Sequence, residues 1–270
     1  GNAAPDFAAT DRRARAVLAP LLARGIVPVV PGFIGASRQG ELVTLGRGGS
    51  DTTAVAVAAA MKQAGYDVRC EIYTDVDGVY TTDPRIVPDA RKIDAISYDE
   101  MLEMASMGAG VMHSRSIEFA KKFEVPIRVR SSFSDAPGSM IVPEPESESV
   151  GVCGAALTQD EARLTIQGVP DQPGTSFEIF KRLADRKITV DMIVQNVSAA
   201  GETDISFTVP ADQADEAAAL VRTLVADIGA GSVSADKDIA RVSIVGAGMK
   251  SHPGVAAKMF ATLSDANINI

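Results

Sequence analysis

At 270 residues, 46% apolar and 23% charged, the chain can bury one large core or two smaller ones. Acidic side chains outnumber basic ones by 35 to 26, a formal charge of −9 that argues against non-specific nucleic-acid binding but leaves room for a local basic patch. No apolar run reaches the roughly 18 residues of a membrane span, and no basic-plus-hydrophobic signal opens the chain. Two cysteines and two histidines suggest neither a zinc site nor a disulfide framework, so no protein-held metal is expected and a reducing cytoplasm is the expected compartment.

In chain order, Gly1 to Ala9 shows no pattern that opens a domain. The spacing predicts a helix over 14–22, ended by Gly25, and a short buried strand over 26–30 that Pro31-Gly32 turns into a loop. A strand over 42–45 runs into Gly46-Arg47-Gly48-Gly49-Ser50-Asp51. Thr52 to Ala64 is alanine and valine with hardly a polar face, a helix expected to be buried, with Ser50 or Asp51 placed to cap it. The next strand, 68–73, leads into Thr74-Asp75-Val76-Asp77-Gly78-Val79-Tyr80. Strand, loop, helix and strand in that order make an α/β crossover and predict a mostly parallel sheet. Helices are expected over 98–105 and 116–123 and a strand over 127–130, before a stretch rich in Pro, Ser, Gly and Glu at 135–148 that reads as a boundary linker.

Beyond it, strands over 163–169, 188–194, 204–209 and near Ser232, with helices over 174–185 and 213–225, give β-α-β-β-α-β, a small ferredoxin-like α+β module. An internal repeat follows. Pro173-Gly174, Phe180, Leu183, Asp185 and Ile188 are echoed at a constant offset by Pro253-Gly254, Phe260, Leu263, Asp265 and Ile268. The chain then stops at Asn269-Ile270, inside what reads as a strand of the second copy. The expected organisation is an α/β domain over 1–135, a linker over 136–150, one module over 151–238 and the start of a second over 239–270.

Three places carry candidate chemistry. The glycines at 46–49 can expose successive N–H groups at a helix start, suited to phosphate or carboxylate, and Arg47 adds a bidentate donor; the plain alternative is a flexible turn with an N-cap. Asp75, Asp77 and Asp83 follow a buried strand and need a positive partner, either the magnesium of a nucleotide or Arg85; the alternative is a solvated turn. In the repeat, a Pro-Gly loop before a helix can take an amino acid's carboxylate, with Asp171 for its ammonium and Gln195-Asn196 across an interface; the alternative is the edge of a dimerisation module. His113 and both cysteines read as structural, and His252 as a loop residue near a ligand or a turn.

Residues 46–53 and 73–85 resemble the aspartate kinases of the amino acid kinase family, and Gly248-Met249-Lys250-Ser251-His252-Pro253-Gly254 is similar to a segment of their regulatory ACT domains. The resemblance runs from Gly25 to Ile270. It implies part of an amino acid kinase domain, its sheet sandwiched by helices, followed by ferredoxin-like ACT modules. It also implies transfer of the γ-phosphoryl of MgATP to the side-chain carboxylate of L-aspartate, with ATP and Mg²⁺ as the cofactors. By that resemblance Arg47, Gly48, Gly49 and Ser50 hold aspartate and Asp51 organises the reacting groups. Thr74, Asp75, Tyr80, Asp83, Pro84 and Arg85 line the ATP site. Asp171, Gly174, Gln195, Asn196, Met249, His252, Pro253, Asn269 and Ile270 face an effector, lysine or threonine or both, in a homo- or hetero-oligomer paired through ACT modules. The chain departs from the family in lacking the opening Lys-Phe-Gly-Gly strand, in carrying Gly110 where many members have lysine, and in lacking the final ACT strands. These departures imply an inactive piece of an active kinase. The runner-up is a non-catalytic, amino-acid-sensing regulatory subunit, which residues 25–130 count against.

Overall fold

The computed structural model describes residues 6–145, 152–197, 201–246 and 254–270. They form two compact units, one of residues 1–156 and 243–270 and one of residues 157–242.

The first unit opens with α1 (Phe7–Leu22), capped by the Asp6 side chain on the Ala9 N–H, so a helix starts earlier than the sequence suggested. Residues 26–30, expected as a buried strand, are neither: they form no strand, and Val27 and Val29 are 84% and 93% exposed. Among the described residues their apolar pattern pairs with no strand, and backbone pairing, not pattern, makes a strand. A hairpin of β1 (Ile34–Ala36) and β2 (Leu42–Thr44) follows, then α2 (Gly49–Gln63). α2 is buried as its composition requires, through Val55, Ala58, Ala59, Ala60 and Met61. Next come β3 (Cys70–Thr74), the small pair β4 (Val79–Tyr80) and β5 (Lys92–Ile93), then β6 (Ala95–Ser97), α3 (Tyr98–Ser106), α4 (Ser114–Phe123), β7 (Ile127–Ser131) and β8 (Ser139–Val142). α3 begins with a full capping box between Ser97 and Glu100, which fixes its start at the end of β6.

The main sheet of this unit runs β3-β7-β8-β6, with β3–β7 and β6–β8 parallel and β7–β8 antiparallel. The linker expectation over 136–150 is thereby corrected. Met140-Ile141-Val142 is a short apolar run between Gly138 and Pro143 and fills the sheet between β7 and β6. Ile72, Ile127, Val129 and Ile141 meet Val55, Met101, Met104, Ile117 and Ala120 of the helices in one core. Each fully buried Val, Ile or Met among these stabilises the fold by about 1.5–3 kcal/mol. On the alternate positions Glu71 faces Arg128 and Arg130 at 3.9 and 3.8 Å, a polar face.

The chain passes from one unit to the other within β9 (Gly154–Thr158) and back within β14 (Arg241–Val245). Between them the second unit is the expected β-α-β-β-α-β: β10 (Glu161–Pro170), α5 (Thr175–Asp185), β11 (Ile193–Val197), β12 (Glu202–Pro210), α6 (Ala214–Ile228) and β13 (Ser232–Asp236). Its sheet order is β11-β12-β10-β13, every pairing antiparallel. Leu164, Ile166, Ile205 and Phe207 pack under Ile179, Leu183, Ala217 and Val221. The second strand of this unit, β11, begins at Ile193 rather than 188, because Lys187 adopts φ 60° and 188–192 serve as a loop. Arg241 ties Glu161 at 2.9 Å to Asp191 at 2.5 Å. Burial outweighs the Arg241 charge at Glu161 and holds its carboxyl above the usual range. The last helix, α7 (Val255–Asp265), belongs to the first unit. Among the described residues no helix is long and apolar enough to cross a membrane.

Candidate functional site

The Gly-rich loop is a closed turn. Leu45, buried, donates its N–H to the Phe33 carbonyl at 2.8 Å, and the Gly49 N–H returns to the Gly46 carbonyl at 3.0 Å. Gly48 takes the left-handed conformation, φ 70°, and is itself the N-cap of α2, with no side-chain cap. The expectation that Ser50 or Asp51 caps the helix is corrected: both lie inside its first turn. The first helical bond runs from the Thr52 N–H to the Gly48 carbonyl, so the N–H groups of Ser50 and Asp51 have no intrahelical acceptor. Arg47 and Ser50 are exposed, and Asp51 is half-buried. Burial pushes the Asp51 carboxyl up and nearby His113 partly offsets this, so the group sits in a drier place than a surface acid.

His113 and Arg115 belong to the start of α4. The His113 Nδ1 accepts the Arg115 N–H at 3.2 Å, an N-cap of α4. The Arg115 Nη2 donates to the carbonyls of Leu45 at 2.8 Å and Arg47 at 3.2 Å. Sequence reasoning missed Arg115. The available signal was a cation in a helix's first turn, where the dipole opposes it and the side chain needs another reason to be there.

The second loop is organised by pairing. Thr74 donates to Asp75 at 3.0 Å, and the Tyr80 hydroxyl donates to Asp77 at 2.8 Å, which also has Lys92 at 4.0 Å. That bond to Asp77 holds the Tyr80 phenol above its ordinary range. Asp83 takes the Arg85 Nη2 at 2.7 Å and its Nε at 3.0 Å, bonds that hold the Asp83 carboxyl below the usual range. Its carbonyl receives the Ile86 and Val87 N–H groups in a turn that contains Pro84. Thr74 is thus paired with Asp75, and Asp83 with Arg85. Lys92, and Ser139, whose hydroxyl takes the Val79 N–H at 2.8 Å, support this loop and were not foreseen. Among the described residues no group of three or more His, Cys, Asp or Glu is placed to hold a metal. Burial raises the Cys70 thiol to about 11 and the Cys153 thiol to about 12, so both are packed, unreactive groups.

In the second unit Gly174 caps α5 in the left-handed region, φ 99°, again with no side-chain cap, and Asp171 is exposed just before it. Pro170 pairs with Glu202, and Thr203 pairs with both Val169 and Val197, so Asp171 and Gln195-Asn196 lie at the same end of the sheet with β12 between them. The backbone repeats at α7, where Gly254 has φ 104° and the Ile268 N–H bonds to the Leu263 carbonyl as Ile188 bonds to Leu183. Asn269 and Ile270 are exposed at the chain's end, while Met249, His252 and Pro253 lie outside the described residues.

An α/β unit carrying a glycine-capped loop is followed by a ferredoxin-like unit. The amino acid kinase family model matches residues 5–131 and the ACT domain model residues 164–223 and 242–270. The aspartokinase of Pseudomonas aeruginosa is 50% identical over 252 residues, covering 92% of this chain and 60% of that protein. E. coli aspartokinase III in complex with aspartate and ADP superimposes with a TM-score of 0.77 at 32% identity, over 98% of this chain and 58% of the other. The same enzyme in complex with lysine and aspartate gives 0.72 at 33%, over 97% and 57%. The chain belongs to the aspartokinase family, with amino acid kinase and ACT domains, and spans about 60% of the length of the relatives it matches.

Proposed function

We propose that the complete protein carrying this chain is an aspartate kinase, transferring the γ-phosphoryl of MgATP to the β-carboxylate of L-aspartate under feedback control by amino acids. The observation that carries the reading is the Gly48 cap of α2, which combines free N–H groups at Ser50 and Asp51, a guanidinium at Arg47 and a half-buried carboxyl at Asp51. A carboxylate nucleophile needs no general base at neutral pH. It needs alignment with the phosphoryl and neutralisation of charge on both partners. Arg47 and the loop amides hold the substrate's carboxylate, and Asp51 at the helix start fixes the reacting end.

At the second loop the donor set fits a magnesium nucleotide: Asp75 is an exposed acid for a hydrated Mg²⁺, and Arg85 a guanidinium for phosphate oxygens. Bound there, MgATP supplies the transferred group. Thr74, Tyr80, Asp83 and Pro84 shape the wall, and Tyr80 and Lys92 keep Asp77 engaged. In this reading the kinase part extends through β8, the first ACT module covers 151–238 and a second begins near 239. Asp171, Gly174, Gln195 and Asn196, together with 249–254 and Asn269-Ile270, face lysine or threonine in an oligomer. The complex of E. coli aspartokinase III with lysine supports that assignment.

The test is ATP-dependent formation of an acyl phosphate, trapped as the hydroxamate, by the complete protein. L-Aspartate as acceptor should give product and L-glutamate little. No product from L-aspartate at any protein concentration overturns the reading.

A further inference from the structure

Arg115 occupies a position where a helix disfavours a cation, and its guanidinium reaches across to a segment some seventy residues earlier, bonding the Leu45 carbonyl at 2.8 Å and the Arg47 carbonyl at 3.2 Å. Its Nε is buried with no hydrogen-bond partner. Next to it, His113 fills the space against Gly48 so closely that a Cβ there would sit 2.3 Å from the His113 Cβ and 2.5 Å from its Cγ. The first turn of α4 therefore grips the Gly-rich loop at two points.

A trans peptide is planar, so its carbonyl and the following N–H point in opposite directions. Holding the Leu45 and Arg47 carbonyls toward α4 aims the N–H groups of Gly46 and Gly48 away from it. With φ 77° at Gly46 and 70° at Gly48, the loop has the backbone from which an anion-binding nest is made. We propose that Arg115, assisted by His113, is a positioning residue that latches this loop with its amides turned toward the substrate carboxylate. The proposal rests on the reading of the loop as the aspartate site. It assigns the pre-organisation of that site to the first turn of α4, through its contacts with the loop.

The test compares wild type, Arg115→Ala and Arg115→Lys in the complete protein, by steady-state kinetics and by amide hydrogen exchange. Arg115→Ala should raise the KM for L-aspartate about 10- to 100-fold, with the KM for ATP within about twofold. Arg115→Lys, whose ammonium is a compact point charge without the guanidinium's fork, should fall between, and millimolar guanidinium should partly restore the alanine variant. Exchange over residues 46–51 should quicken at least about tenfold in the alanine variant, with β3 and β7 unchanged. Equal aspartate KM and equal loop exchange in all three proteins overturn the latch. If the alanine variant loses protection throughout, the lysine variant decides, and wild-type values in both readouts overturn the proposal. If wild type makes no acyl phosphate from aspartate but the loop alone loosens in the variants, the latch stands and the aspartate reading falls.

Discussion

Gly48 and Gly174 each cap a helix in the left-handed region, φ 70° and 99°, and neither helix has a side-chain cap. Their surroundings are opposite. A Cβ on Gly48 would run into His113 at 2.3 Å, whereas a Cβ on Gly174 meets nothing within 4 Å. Gly254, the repeat of Gly174, is open in the same way. The same local solution to starting a helix is thus used once inside a braced loop and twice at an open surface. In the proposed function that difference has a purpose: a reacting carboxylate needs donors fixed before it arrives, while a sensing loop needs access and room to change.

The largest expected effect comes from the braced site. Asp51→Ala in the complete protein should lower turnover about a thousandfold while circular dichroism stays that of wild type. Unchanged turnover would remove Asp51 from the chemistry. Next, Gly48→Ala should destabilise the first unit by about 3 kcal/mol in urea titration, combining backbone strain with the clash against His113. The matching Gly174→Ala change should cost only about 1 kcal/mol, from strain alone. Equal losses at the two glycines would show that the contrast in surroundings has no energetic content.

The smallest effect concerns pH. Burial raises the Asp51 carboxyl in the folded protein, so the native state binds that proton more tightly than the unfolded chain does. The group's contribution to stability is therefore full below the ordinary carboxylate pKa and lost as pH rises through the raised folded value. Asp51→Asn should accordingly stabilise the protein at neutral pH, and the gain should vanish in acid. A gain that persists unchanged at low pH would contradict the assigned cause.

The α/β and ferredoxin-like units were legible because their signals are local. α2 is a continuous apolar helix, and the strands β10 to β13 are interrupted by two amphipathic helices, one begun at Gly174 and the other ended at Gly229. β8 was hidden because its four residues lie among Pro, Ser, Gly and Glu, and only the gap between β7 and β6 makes it a strand. Residues 26–30 failed the other way: an apolar strand pattern forms no ladder without a neighbour to share hydrogen bonds. At the site, the glycine loop and the acid cluster could be read because each is a contiguous run of residues at a strand's end. Lys92 and Ser139 could not, because their partners are distant in sequence and a single polar residue in a strand carries no periodic signal; Arg115 offered only the hint of a cation in a helix's first turn, with nothing to name its partners.

In the proposed function the braced loop holds the carboxylate of L-aspartate through Arg47, so the decisive quantity is the KM for L-aspartate of Arg47→Ala in the complete protein. It should rise about 100-fold with the KM for ATP unchanged. An aspartate KM equal to that of wild type, or one that rises only together with the KM for ATP, would contradict it.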